Sequence, residues 1–172
     1  MQAATYSVKE TLRDGNRIEI RALKPTDRDE LLGTMSRMSD ESIRRRFFAP
    51  KRHFTEREID YYLNVDFVDH VALVGVLNAD GQTPIVGGCR YIVTEPGVAE
   101  IAFAVDDKHQ GRGIGGLLMK HLAAIARESG LHQLTAEVLP SNAPMLAVFE
   151  KAALEATTRR VGDVVHVTLR LT

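Results

Sequence analysis

Eight residues, HQGRGIGG from His109 to Gly116, hold four glycines and lead straight into a periodic apolar segment. Glycine is costly in a helix and is kept where a backbone must turn sharply or let something approach closely. A helix start also offers N–H groups without partners and the positive end of the macrodipole, which together attract phosphate. The chemistry expected of this loop is the grip of a phosphorylated ligand. Upstream, Glu100 lies in the middle of VAEIAFAV, where its neighbours are almost all apolar. A carboxylate partly shielded from water in such a strand is a candidate general base. The competing reading has Glu100 facing solvent on the polar side of an alternating strand.

The glycines can be spelled in several ways. Gly111-x-Gly113-x-x-Gly116 has the spacing of a dinucleotide fingerprint, and Glu137 lies about where a ribose-binding carboxylate is expected. That fingerprint needs an apolar strand running directly into the first glycine. Here Asp106, Asp107, Lys108, His109 and Gln110 intervene. A P-loop needs Lys-Ser/Thr after its last glycine, whereas Leu117 and Leu118 follow Gly116. An unloaded tight turn is a further alternative, but it would spend four glycines before a helix for no purpose. The remaining spelling is Gln110-x-x-Gly113-x-Gly115.

The elements that position these groups follow from the apolar period. RIEIRAL, residues 17–23, alternates as a half-buried strand does. PTDRDELLGTMSRM reads as a helix with Thr26 or Asp27 as N-cap. SDESIRRRFF is a second helix begun by Ser39, and TEREIDYYL a third whose Thr55 and Glu58 form a capping box. VALVGVLN, PIVGGCRYIV and VAEIAFAV are strands at hairpin spacing, an antiparallel meander. After the glycine loop, Ile114, Leu117, Leu118, His121, Leu122 and Ile125 make one apolar helical face, ended by Gly130. A strand in LHQLTAEVL, a helix begun by Asn142 and two strands about Gly162-Asp163 complete the chain. Residues 1–172 therefore read as a single domain of mixed α/β (α+β) class, in the order β, helices, βββ, α, β, α, ββ.

A formal charge of −1 gives no sign of nucleic acid or an anionic membrane as partner. Cys89 is the single cysteine and reads as packing rather than as an acyl-carrying nucleophile. The six histidines show no HExxH and no i,i+4 pair, so no metal is expected. No apolar run suits a signal peptide or a membrane span, and a cytoplasmic protein is expected. The basic run Arg44, Arg45, Arg46, Lys51 and Arg52 reads as a solvated helix face, or as a grip on an acidic partner or a cofactor phosphate.

GRGIGGLLM after HQ resembles the signature of the GNAT superfamily of acyl-CoA-dependent N-acyltransferases, with Gln110-x-x-Gly113-x-Gly115 as its pyrophosphate loop. IEIRALKPTDRDEL, MSDESIRRRFF, HVALVGVL and AEIAFAVDDKHQGRGIGGLLMKHL look like the acetyltransferase domain of bacterial Pat-type protein lysine acetyltransferases, over roughly residues 17 to 155. The resemblance implies a GNAT fold, with a mostly antiparallel twisted sheet flanked by helices. It also implies acetyl-CoA as donor, no metal, and a primary amine as acceptor, preferably a protein lysine. A small-molecule amine acceptor, or a catalytically silent acyl-CoA-binding module, is the alternative. Oligomeric state is left open.

By the same resemblance Glu100 is the general base, with Glu137 in reserve. Ala104 and Val105 would bond the pantetheine through their backbone and polarise the thioester carbonyl. Gln110, Gly111, Arg112, Gly113, Ile114 and Gly115, with Gly116 behind them, would hold the pyrophosphate by main-chain N–H groups. Arg112 would add charge there, or else is merely exposed. Asn142 matches an asparagine that contacts the cofactor and also suits a helix N-cap. Phe149 is a departure, since many relatives carry there a tyrosine that protonates the leaving thiolate. Ala153-Leu154 replaces the usual Gly-Phe, and the general acid is unassigned.

Overall fold

A computed structural model describes residues 2–49, 51 and 53–171. Its eight strands form one sheet: β1 (Ser7–Thr11), β2 (Arg17–Ala22), β3 (His70–Asn78), β4 (Ile85–Glu95), β5 (Val98–Val105), β6 (Gln133–Val138), β7 (Glu155–Val161) and β8 (Val164–Arg170). Their spatial order is β1-β2-β3-β4-β5-β6-β8-β7. Helices α1 (Arg28–Arg37), α2 (Asp40–Phe47) and α3 (Glu56–Leu63) join β2 to β3, α4 (Ile114–Glu128) joins β5 to β6, and α5 (Ala143–Glu150) follows β6. The mostly antiparallel sheet flanked by helices is the GNAT architecture expected above.

The apolar faces decide the layers. Leu118, Leu122 and Ile125 of α4 pack on Ile18, Ile20, Leu73 and Leu134 of the sheet. On the opposite face, Ile59 and Leu63 of α3 pack with Ala72, Val74 and Ile85. β3 is covered on both sides, so its first eight residues are all buried and its sequence is a continuous apolar run. Ile101 and Phe103 of β5 join the α4 side. Strand alternation therefore turns Glu100, Ala102 and Ala104 to the other side.

All neighbouring strands are antiparallel except β5 and β6, which pair only as Val98↔Gln133, Ala99↔Leu134 and Glu100↔Thr135. Beyond that point β5 keeps β4 as partner as far as Val105, while β6 continues against β8 as far as Val138. The two strands part, and a cleft begins there.

The sequence reading omitted β1, because SVKET offers one strongly apolar residue and its burial merely alternates between exposed and half-buried. Of the two N-caps offered, Thr26 or Asp27, Asp27 holds the position before α1 but makes no side-chain cap bond. Its carboxylate accepts from the Lys24 N–H at 2.8 Å and from both terminal nitrogens of Arg21 at 2.8 Å. A turn of 3₁₀ helix, Pro25–Asp27, precedes α1. The Thr55–Glu58 capping box forms as expected.

Two glycines of β4 let neighbouring backbones close in. A Cβ on Gly87 would lie 2.9 Å from the Ala104 carbonyl oxygen, and one on Gly88 3.1 Å from that of Leu73. Gly87→Ala is expected to cost about 1–3 kcal/mol in chemical denaturation, because backbone cannot yield as a side chain does. An unchanged midpoint would show that β5 does not rest on that glycine.

Candidate functional site

The end of β5 borders a cleft of about 640 Å³. All ten residues expected to hold the cofactor line it: Ala104 and Val105 at the end of β5, Gln110 through Gly116 in the loop, and Asn142 at the start of α5. Glu100 does not line it. Its side chain is exposed on β5, not shielded as its apolar neighbours suggested, because those neighbours alternate to the α4 side.

The loop owes its shape to its glycines. Gly111 and Gly113 have φ of 78° and 85°, the left-handed region that other residues avoid. Gly113 is the N-cap of α4 and gives no side-chain bond to the first-turn N–H groups. At Gly115 the packing is tight, since a Cβ would come 3.2 Å from a methyl of Val148. Gly116 has no such reason: it is helical, and nothing lies within 4 Å of where its Cβ would be. Glycine there costs about 1 kcal/mol against alanine, and no contact with the rest of the fold requires it.

The side chains of Gln110, Arg112 and Asn142 all have partners within the protein. The Gln110 amide donates to the Val105 carbonyl at 3.1 Å and to Ser42 Oγ at 3.3 Å. Arg112 pairs with Asp14 at 2.7 Å and donates to His109 Nδ1 at 2.8 Å, so its charge is already matched. Burial, with the nearby Arg112, Lys108 and Arg37 charges, lowers the His109 pKa against the opposing pull of Asp106, and the neutral ring accepts this bond. Asn142 Oδ1 accepts from the Met145 N–H at 3.3 Å, the helix cap anticipated for it.

Several lining residues were not anticipated. Arg13 comes from the β1–β2 hairpin, whose Asp14-Gly15-Asn16 turn was a legible signal. Arg13 reaches the loop, with Nη2 at 3.4 Å from the Cβ position of Gly113. Met38 directly follows α1, and Ser42, Arg45 and Arg46 come from α2, the two arginines being part of the basic run offered as a grip on a cofactor phosphate. Thus two of the basic run face the cleft rather than solvent, while Lys51 pairs with Glu58. Arg52 lies outside the described residues.

The reserve candidates sit elsewhere. Glu137 is exposed on β6 and faces His166 at 3.6 Å. Cys89 is buried, and burial pushes its thiol far up, so it stays protonated and unsuited to nucleophilic attack. Phe149 is buried against Phe103, with ring centroids 6.0 Å apart, and props the end of β5. Among the described residues no group of three or more His, Cys, Asp or Glu side chains is placed to hold a metal. No helix among them is long and apolar enough to cross a membrane. The dinucleotide reading fails on topology, because the strand before the loop is the third of an antiparallel meander.

Residues 38–153 match the model of the Acetyltransferase (GNAT) family. The chain is 31% identical over 126 residues to an acetyltransferase of Pseudomonas aeruginosa, covering 73% of this chain and 68% of that one. It is 30% identical over 142 residues to acetyltransferase Pat of Mycolicibacterium smegmatis, covering 81% of this chain but 42% of that protein. Among solved structures, the GNAT domain of S. lividans PAT superposes with a TM-score of 0.85 at 34% identity, over 95% of this chain and 96% of that one.

Asp107 ties the turn before the loop to the start of α2, accepting from Ser39 N–H at 2.9 Å, Ser39 Oγ at 2.7 Å and Ser42 Oγ at 3.0 Å. Burial raises its pKa, but these bonds outweigh it and hold the carboxyl below the ordinary value. The tie is therefore complete above the unfolded pKa of about 3.9 and is lost as pH falls through the lower folded value. Asp107→Ala is expected to weaken acetyl-CoA binding about three- to tenfold in calorimetry at pH 7. Unaltered affinity would show that the loop needs no tie to α2.

Proposed function

The chain belongs to the GNAT family of acetyltransferases, and from that premise we propose that it moves acetyl from acetyl-CoA to the side-chain amine of a protein lysine. The observation that carries the donor site is the uncapped start of α4, where Gly116 is open to the cleft without any need of the fold. Main-chain N–H groups of Gln110 to Gly116 would take the pyrophosphate, with Arg13 beside them. Ala104 and Val105 would bond the pantetheine. Likeness to the PAT domain supports a protein lysine as acceptor.

In this reading a backbone N–H at the end of β5 polarises the thioester carbonyl. The neutral amine attacks, the C–N bond forms and the C–S bond breaks, and coenzyme A leaves as thiolate. Glu100 takes the amine proton, directly or through a water, and hands it to solvent from its exposed position. Phe149 has no proton to give, so the thiolate takes one from water.

Gly116→Ala tests the donor site. It should leave the fold as stable or more so, by about 1 kcal/mol from helix propensity, yet weaken acetyl-CoA at least tenfold by calorimetry. Affinity equal to wild type would remove the phosphate role of this helix start. Glu100→Gln tests the base: turnover on a lysine peptide should fall more than about tenfold with acetyl-CoA affinity nearly unchanged. Near-wild-type turnover would place the base elsewhere.

A further inference from the structure

A second cavity, of about 80 Å³, lies on the sheet face opposite α4 and shares Met38, Arg46 and Ala104 with the cleft. Its charged lining residues are Arg46 of α2, Arg90 of β4 and Asp106. Asp106 is buried and faces Arg37, 3.8 Å away. The two arginines are not matched in this way. Among the described residues neither takes part in an ion pair.

Both guanidinium groups are held by neutral partners. Arg90 Nη1 donates to the Tyr62 carbonyl at 3.1 Å and to His70 Nε2 at 2.9 Å. Burial and the Arg90 charge lower the His70 pKa to about 4, so the ring is neutral and accepts. The Arg90 guanidinium lies 4.9 Å from the Tyr62 ring centre, and that of Arg46 4.7 Å from Phe47 and 6.0 Å from Tyr62. Burial and the Arg46 charge lower the pKa of Arg90, and Glu100 is the carboxylate in electrostatic reach of Arg46. Holding two half-buried like charges together is unfavourable unless something of opposite sign joins them.

Their place in the sheet says where that charge arrives. Arg90 is paired with Ala102, and Ile92 with Glu100, so Arg90 and Glu100 are diagonal neighbours on adjoining strands. Arg90 does not line the donor cleft. The rim on this side is aromatic: Tyr61 is 53% exposed and packs on Tyr62 and His70, with centroids 5.6 and 5.3 Å apart. An exposed aromatic beside paired guanidiniums suits a peptide carrying a carboxylate.

We infer that Arg46 and Arg90 bind a carboxylate next to the acceptor amine, so that the favoured acceptor is a lysine flanked by an acidic residue. The inference rests on the proposed transfer to protein lysine and narrows it. Binding is therefore read without turnover, and a failure of acetyl transfer would leave it standing.

The test titrates two peptides by calorimetry into the protein, with and without coenzyme A. They share one lysine and differ only in aspartate and glutamate against asparagine and glutamine beside it. The acidic peptide should bind at least about tenfold tighter to wild type, as a charge-assisted pair to arginine implies. Arg46→Gln should remove most of that preference, and Arg90→Gln should act likewise where it folds. Equal affinities, or no binding of either peptide, would overturn the inference. So would a preference that survives Arg46→Gln unchanged. Succinyl-CoA binding more than tenfold tighter than acetyl-CoA would assign the carboxylate to the donor and overturn it too.

Discussion

The parting of β5 from β6 is the constraint on which the site depends. The two strands share three residue pairs and then diverge at Glu100 and Thr135. From there to Val105, β5 has a partner on one edge only. Unpaired strand backbone facing a cleft is costly unless a polar ligand supplies the missing bonds. At about 3.3 Å per residue, this open edge runs roughly 17 Å, with an exposed carboxylate at one end and the glycine loop at the other. A ligand long enough to bond the edge and end in a phosphate would span it.

Keeping that edge open requires that both ends be fixed from elsewhere. Gln110 holds the carbonyl of Val105 and the hydroxyl of Ser42, while Asp107 holds the start of α2. On the far side Asp14 holds Arg112, so the β1–β2 hairpin is strapped to the loop. The hairpin is itself tied to α4, where Tyr6 and Glu10 bond the two ring nitrogens of buried His121 at 2.5 and 2.8 Å. Side chains thus spend their hydrogen bonds on the frame, which would leave main-chain N–H groups to the proposed ligand. A backbone cradle set this way is preorganised, with little left to reorder on binding.

Much of this was legible in the sequence, for reasons that can be named. The periodic face of α4, the run of β3 and the alternation of β2 each follow from how many sides of the element are covered. The glycine loop was legible because glycine is costly wherever it is not needed. What escaped was what depends on distant partners. SVKET has too little apolar patterning to announce a strand, yet it carries the hairpin that reaches Gly113. Arg112 reads as available charge until Asp14 is found beside it. The exposure of Glu100 could not be read from VAEIAFAV, since two apolar neighbours fit either face of a strand.

Phe149 illustrates why a site can lose one proton donor and keep its chemistry. A thiol of pKa near 8.5 leaves as thiolate at pH 7 at a cost of about 2 kcal/mol. A lysine of pKa near 10.4 must lose its proton first, at a cost of about 4–5 kcal/mol. Removing the acid is therefore the smaller loss, and removing the base the larger. At position 149 the chain uses an apolar ring, buried against Phe103, that supports the strand end where the thioester would be polarised. In the proposed mechanism the larger task would fall to Glu100 of β5, which is exposed where solvent can carry the proton away.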